Sequence, residues 1–107
     1  MSALPAPVTA LVAAINAGDS RALMALLAPG AVVEDWGSVY ASRAEIEAWN
    51  KRELIGAKGR LTVTGARTSG DTVMLDTDWV SSFFSGAGRF TLTLADGKIR
   101  RWVISAP

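Results

Sequence analysis

The chain has 107 residues, half of them hydrophobic and 20% charged, with 11 basic and 10 acidic side chains giving a net charge of +1. That length suits one domain, residues 1–107, and the even charge leaves no basic or acidic block to hold a nucleic acid or an anionic membrane. Cys and His are both absent, which excludes disulfides, thiol nucleophiles and thiolate or imidazole metal sites, and confines proton chemistry to Asp, Glu, Lys, the single Tyr or water.

Met1–Pro7 reads as a short tail. Val8, Leu11, Val12 and Ile15 then recur at i, i+3, i+4, i+7, which predicts a helix over Pro7–Ala17 that Gly18 stops. Asp19 or Ser20 caps a second short helix with Leu23, Met24 and Leu27 inward, ended by Pro29-Gly30. Val32–Trp36 is expected as a short strand. Ser42 followed by Glu45 is a capping-box pattern opening a third helix, Arg43–Leu54, with Ile46 and Trp49 on its buried face.

From Gly59 the apolar period becomes two. Strands are expected at Arg60–Thr68, Thr72–Phe84, Arg89–Leu94 and Lys98–Ser105. Ser69-Gly70-Asp71, Ser85–Gly88 and Ala95-Asp96-Gly97 are the turns between them. Helices followed by a run of strands make an α+β fold, with three N-terminal helices packed in a strongly curved antiparallel sheet. No apolar run approaches the roughly 18–20 residues that cross a bilayer. The N-terminus lacks a basic leader pattern, so a cytoplasmic protein without a membrane partner is expected. A mean hydropathy of +0.25 is high for a small soluble chain, which places some apolar surface in a pocket or at a homodimer interface through the outer sheet face.

Asp35 is the first candidate for chemistry. It shares a strand face with Val33, opposite Glu34 and Trp36. If Val33 faces the core, Asp35 faces a pocket, where desolvation raises a carboxyl pKa toward that of a useful base. The plainer alternative is a strand-end Asp bonded to backbone. Tyr40 lies in the loop before the third helix, where its hydroxyl could donate to a substrate oxygen or its ring could simply pack. Trp49, Trp79, Phe90 and Trp102, with Leu75 and Ile104 in phase, could line an apolar pocket or simply fill the core or a dimer interface; Trp36 is expected on the outside or across an interface. Asp76 and Asp78 share a face with Met74 and Val80, where two carboxylates could act as acid and base or bind a cation; because the other face is more apolar, they are expected outward, on a solvated face or in dimer-rim ion pairs with Arg67, Arg100 or Arg101. There is no phosphate loop, metal-ligand spacing or nucleophile elbow.

The segments AAINAGDSRALMALLAPGAVVEDWG and SRAEIEAWNK resemble the nuclear transport factor 2-like superfamily, the cystatin-like cone, in its SnoaL-like and ketosteroid-isomerase-like branch. The matching features are Gly18-Asp19, Pro29-Gly30, Val33-Glu34-Asp35 and Ser42-Arg43-Ala44-Glu45-Ile46. The resemblance implies a cone with Leu11 and Ile15 also among the ligand-facing residues, and Asp35 in the position of the isomerase base. The isomerases hold the substrate oxygen with a Tyr and a protonated Asp; here those positions fall on Leu11 and near Phe90, both apolar. The resemblance therefore implies a pocket and an acid, and speaks against steroid isomerisation. Two readings follow: an acid/base enzyme of isomerase, cyclase or hydratase type, using Asp35 on a small apolar molecule without a cofactor, or a non-catalytic ligand-binding or dimerisation domain.

Overall fold

A computed structural model describes residues 4–107, so the first three residues of the expected tail lie outside it. The elements run α1 (Ala6–Ala17), α2 (Ser20–Ala25), β1 (Leu27–Asp35), β2 (Ser38–Tyr40), α3 (Arg43–Glu53), β3 (Arg60–Ser69), β4 (Thr72–Val80), β5 (Gly86–Ala95) and β6 (Lys98–Ser105), with a 3-10 turn at Ile55–Ala57 after α3. The local signals act as expected. The Asp19 carboxylate accepts from the Ala22 N–H at 3.0 Å and starts α2. The Ser42 hydroxyl accepts from the Glu45 N–H at 3.1 Å, and the Glu45 carboxylate accepts from the Ala41 N–H at 3.1 Å. This reciprocal cap fixes where α3 begins.

The six strands form one open sheet in the order β2-β1-β6-β5-β4-β3. All pairings are antiparallel except β1 with β6, which is parallel because the chain returns from β1 to β6 through α3 and the other strands. Register shifts fall at Val63/Gly65 in β3, at Thr93/Leu94 in β5 and at Leu27/Val32 in β1. Each is a place where the sheet bends more sharply. The last of these corrects the expected boundary. Pro29-Gly30 does not separate a helix from a strand but sits inside β1, and α2 stops at Ala25. Thr72–Phe84 is likewise two things, a strand that ends at Val80 and a loop.

The register orders the inner face into rows. Val33, Trp102, Leu92 and Val73 stand side by side and are all 0% exposed. Two residues further along come Asp35, Ile104, Phe90 and Leu75. Beyond them Gly88 faces Thr77 and Gly86 faces Trp79, with Leu61 next to Trp79. The first row is the centre of the core, completed by Leu11 and Ile15 of α1 and by Ile46 and Trp49 of α3. The later rows lose side chains at the two glycines, and there the packing opens.

Two side-chain amides lock the helices over this surface. Asn16 of α1 donates to the Leu61 carbonyl at 2.9 Å and accepts from the Leu61 N–H at 2.7 Å. Asn50 of α3, 1% exposed, donates to the Ser20 hydroxyl at 3.0 Å and accepts from the Ile55 N–H at 3.2 Å. Amides with both ends satisfied hold one geometry, and at the buried Asn50 losing a partner strands a desolvated polar group. On the outer face Asp76 pairs with Arg89 at 3.0 Å, its direct cross-strand neighbour, and not with Arg67, Arg100 or Arg101. Arg101 instead pairs with Glu34. Asp78 is exposed, as expected.

Candidate functional site

At the open end of the rows lies a cavity of about 420 Å³, within the range of small-molecule sites. Asp35 stands in its wall at the last position of β1. Its Oδ2 accepts a hydrogen bond from the Trp49 indole Nε1 at 2.9 Å. No described residue hydrogen-bonds its Oδ1. Burial pushes the Asp35 pKa above the ordinary 3.8; the Trp49 bond opposes that rise, and the negative charge of Glu53 adds to it. Trp49 and Glu53 are one helical turn apart on α3, so both point at the same wall. Glu53 is held by Arg52 at 2.8 Å, with Arg52 largely in solvent.

The opposite wall comes from the sheet: Thr77 and Trp79 of β4, Phe90 of β5 and Ile104 of β6. Gly86 and Gly88 occupy the inner-face positions of β5 next to Phe90 and bring no side chain. That vacant stretch is the space of the cavity. Trp79 is seated by Gly59, where an added Cβ would lie 2.3 Å from the indole. Three exposed aromatics, Trp36, Phe83 and Phe84, ring the mouth at 53%, 61% and 49% exposure.

Among the ligand-facing candidates, Trp49, Trp79, Phe90 and Ile104 come together with Asp35 around the cavity. Leu11, Ile15, Leu75 and Trp102 do not reach it. Leu11 and Ile15 lie on the face of α1 turned into the core, Trp102 is one row deeper than Asp35, and Leu75 closes the far end of Asp35's row against the core. All four are almost fully buried. Tyr40 is also outside the wall. It ends β2, paired with Val33, and its ring stacks on Trp49 with centroids 5.8 Å apart. Its hydroxyl accepts from Arg52 at 3.5 Å. From there it steadies Trp49 rather than facing the cavity.

Trp36 is exposed, but at the mouth of the cavity rather than on the strand face opposite Asp35. It and Gly37 form the two-residue turn between β1 and β2, both at positive φ, +50° and +91°. This left-handed turn is the one that matches strand twist in a hairpin. It breaks the strand alternation, so Trp36 swings to the cavity mouth and meets Phe84 edge-on, centroids 6.4 Å apart. Glu53, Thr77, Phe83 and Phe84 were not foreseen. A signal for β5 existed: Gly86, Gly88, Phe90 and Leu92 keep a period of two, which extends the strand backward through the expected turn. Among the described residues no group of three or more Asp or Glu is placed to hold a metal ion.

The geometry defines a class: an α+β cone with an apolar cavity and a carboxylate in its wall. Residues 8–102 match the family model of the SnoaL-like domain, and the chain belongs to that family. It is similar in structure to a Sinorhizobium meliloti protein inferred to be a polyketide cyclase, with 26% identity, TM-score 0.88 and 95% of each chain covered. It is also similar to the Δ5-3-ketosteroid isomerase of a Mycobacterium species, with 18% identity, TM-score 0.84, and 95% of this chain and 91% of that one covered. A third likeness is to a Catenulispora acidiphila protein of ketosteroid isomerase-like fold solved with trimethylamine, with 22% identity, TM-score 0.83, and 95% and 85% covered. Among curated proteins none matches in sequence. Among the described residues no helix is long and apolar enough to cross a membrane.

Proposed function

We propose that this SnoaL-like domain binds a small, largely apolar molecule in its cone and that Asp35 moves a proton on it. The observation that carries the reading is the carboxylate in the wall of an apolar cavity of about 420 Å³, with one oxygen anchored by Trp49 and the other hydrogen-bonded by none of the described residues. An acid held this way keeps its geometry, and burial raises its pKa above the ordinary value, the direction that makes it a stronger base. The likeness to a polyketide cyclase and a ketosteroid isomerase supports a ring-bearing carbonyl substrate. Chemistry differs from the isomerase's at one point. Leu11 lies in the core and Phe90 offers only a ring, so the oxygen of a substrate would find the Thr77 hydroxyl and not a pair of strong donors. That same shortage favours a second reading, a pocket that holds its ligand without turning it over.

Binding is tested by filling the cavity. Gly86 lies on the wall, and the nearest atoms to a Cβ added there, at 3.2 Å, belong to the exposed ring of Phe84, which can yield. A Gly86→Leu variant is expected to fold with little change in Tm and to bind a two-ring ketone such as tetralone at least about tenfold more weakly, read by tryptophan fluorescence. Unchanged affinity would place the ligand elsewhere. The homodimer is proposed as well, through the outer sheet face, where Met74, Thr91 and Val103 are only partly covered. Sedimentation equilibrium distinguishes the 11.3 kDa chain from its dimer; a monomer at micromolar concentration would refute it.

A further inference from the structure

The charge in the cavity wall has one sign. Asp35 enters from β1 and Glu53 from α3; β3, β4, β5 and β6 contribute no titratable group, and no Lys or Arg stands in the wall. Arg52 is held by Glu53, with its side chain 54% exposed. Facing the two carboxylates are aromatic surfaces, Trp79 and Phe90 inside and Trp36, Phe83 and Phe84 at the mouth, while Trp49 turns its N–H edge to Asp35. Ring faces are electronegative and attract cations, most of all where water is excluded. A half-buried carboxylate without a cationic partner is a costly arrangement unless something that binds supplies the charge. Glu53 has Arg52 as a partner, whereas a neutral ketone leaves Asp35 without any cation.

We propose that the cavity selects an organic ammonium ion, a protonated or quaternary amine carrying an apolar body, with its charge between Asp35 and Glu53 and its body against the aromatic walls. The inference rests on the reading that the cone binds a small molecule. It names the ligand's charge, which that reading leaves open. The mutual repulsion of the two acids, visible in the upward push that Glu53 gives Asp35, is relieved when a cation sits between them.

The test uses two molecules of nearly one shape, phenyltrimethylammonium and tert-butylbenzene, titrated into the full chain by calorimetry and tryptophan fluorescence. The ammonium is expected to bind at least about tenfold more tightly. In an Asp35→Asn, Glu53→Gln double variant the preference should fall to about twofold or less. Phenyltrimethylammonium has no proton to lose, so its affinity in the wild type should rise with pH as Asp35 ionises, its pKa being raised from the ordinary 3.8 by burial. Equal or tighter binding of tert-butylbenzene by the wild type overturns the ammonium assignment and leaves the small-molecule reading standing. A preference that survives in the double variant overturns the roles of Asp35 and Glu53. Failure of both molecules to bind overturns the small-molecule reading together with the inference.

Discussion

Replacing Asp35 with asparagine is expected to abolish proton transfer while leaving the protein as stable as before, or more stable, at neutral pH. Asparagine keeps the shape, and its carbonyl oxygen can still accept from Trp49, whose indole now bonds Oδ2 at 2.9 Å. What it loses is the ionisable group. A positioned base contributes about 10²–10⁴-fold in rate, so deuterium uptake next to the carbonyl of a tetralone in D2O should fall by at least about a hundredfold. The stability side follows from the sign of the pKa shift. The folded-state pKa of Asp35 lies above the unfolded 3.8, chiefly through burial. Its favourable contribution is present in full below the unfolded value and is lost as pH rises through the folded value. At neutral pH the wild type therefore carries a desolvated charge that asparagine removes. Thermal melts across pH should show the two proteins converging at neutral pH, or the variant ahead. A variant that keeps wild-type exchange would end the catalytic role. A variant that unfolds would mean that the carboxylate holds the structure together.

Trp49 is where site and core meet, and its truncation is expected to be the most damaging single change to the fold. It is 1% exposed. Tyr40 stacks on it, and Trp102 stands nearly perpendicular, at 83° with centroids 5.3 Å apart. Trp49→Ala should cost about 3–5 kcal/mol, a large share of the roughly 5–15 kcal/mol that holds a domain of this kind together. Trp49→Phe separates packing from the hydrogen bond. It keeps an aromatic ring but leaves Asp35 Oδ2 without its donor, for about 1–3 kcal/mol. Because the Trp49 bond lowers the Asp35 pKa, its loss should move that pKa further upward. The limb of a pH–rate profile governed by Asp35 should then shift to higher pH in Trp49→Phe. A limb that stays in place would show that the indole does not tune the acid.

These consequences divide along the line between what the chain states locally and what only three dimensions assemble. Ser42 with Glu45, Asp19 with Ala22 and the Asp96-Gly97 turn are contacts a few residues long, and each was legible because cap and turn chemistry is local. Val33 and Asp35 share a strand face by local alternation; Val33 is fully buried and Asp35 stands at the cavity. Pro29-Gly30 misled because strand bulges and helix ends use the same residues. The rows decided the rest. Trp102 and Trp79 both have inward phase, and phase alone does not tell that Trp102 is matched with Val33 in the core while Trp79 is matched with a glycine at the open end. The Asp35–Trp49 bond joins a strand to a helix, and Asp76 chose Arg89 through the register of two strands. Neither is written in any short window. The glycines at 86 and 88 carried the largest missed signal, because an absent side chain on an inner face marks space as surely as a large one marks a wall.

The four tryptophans make the central claim directly measurable. Their indole N–H groups give separate resonances, with Trp49 and Trp79 in the cavity wall, Trp36 at its mouth and Trp102 a row deeper. Titration with tetralone or phenyltrimethylammonium should move Trp49, Trp79 and Trp36 in a saturable way and Trp102 least. Saturable binding that leaves Trp49 and Trp79 in place, or four resonances that stay still with both compounds at millimolar concentration, would contradict a ligand-binding cone with Asp35 in its wall.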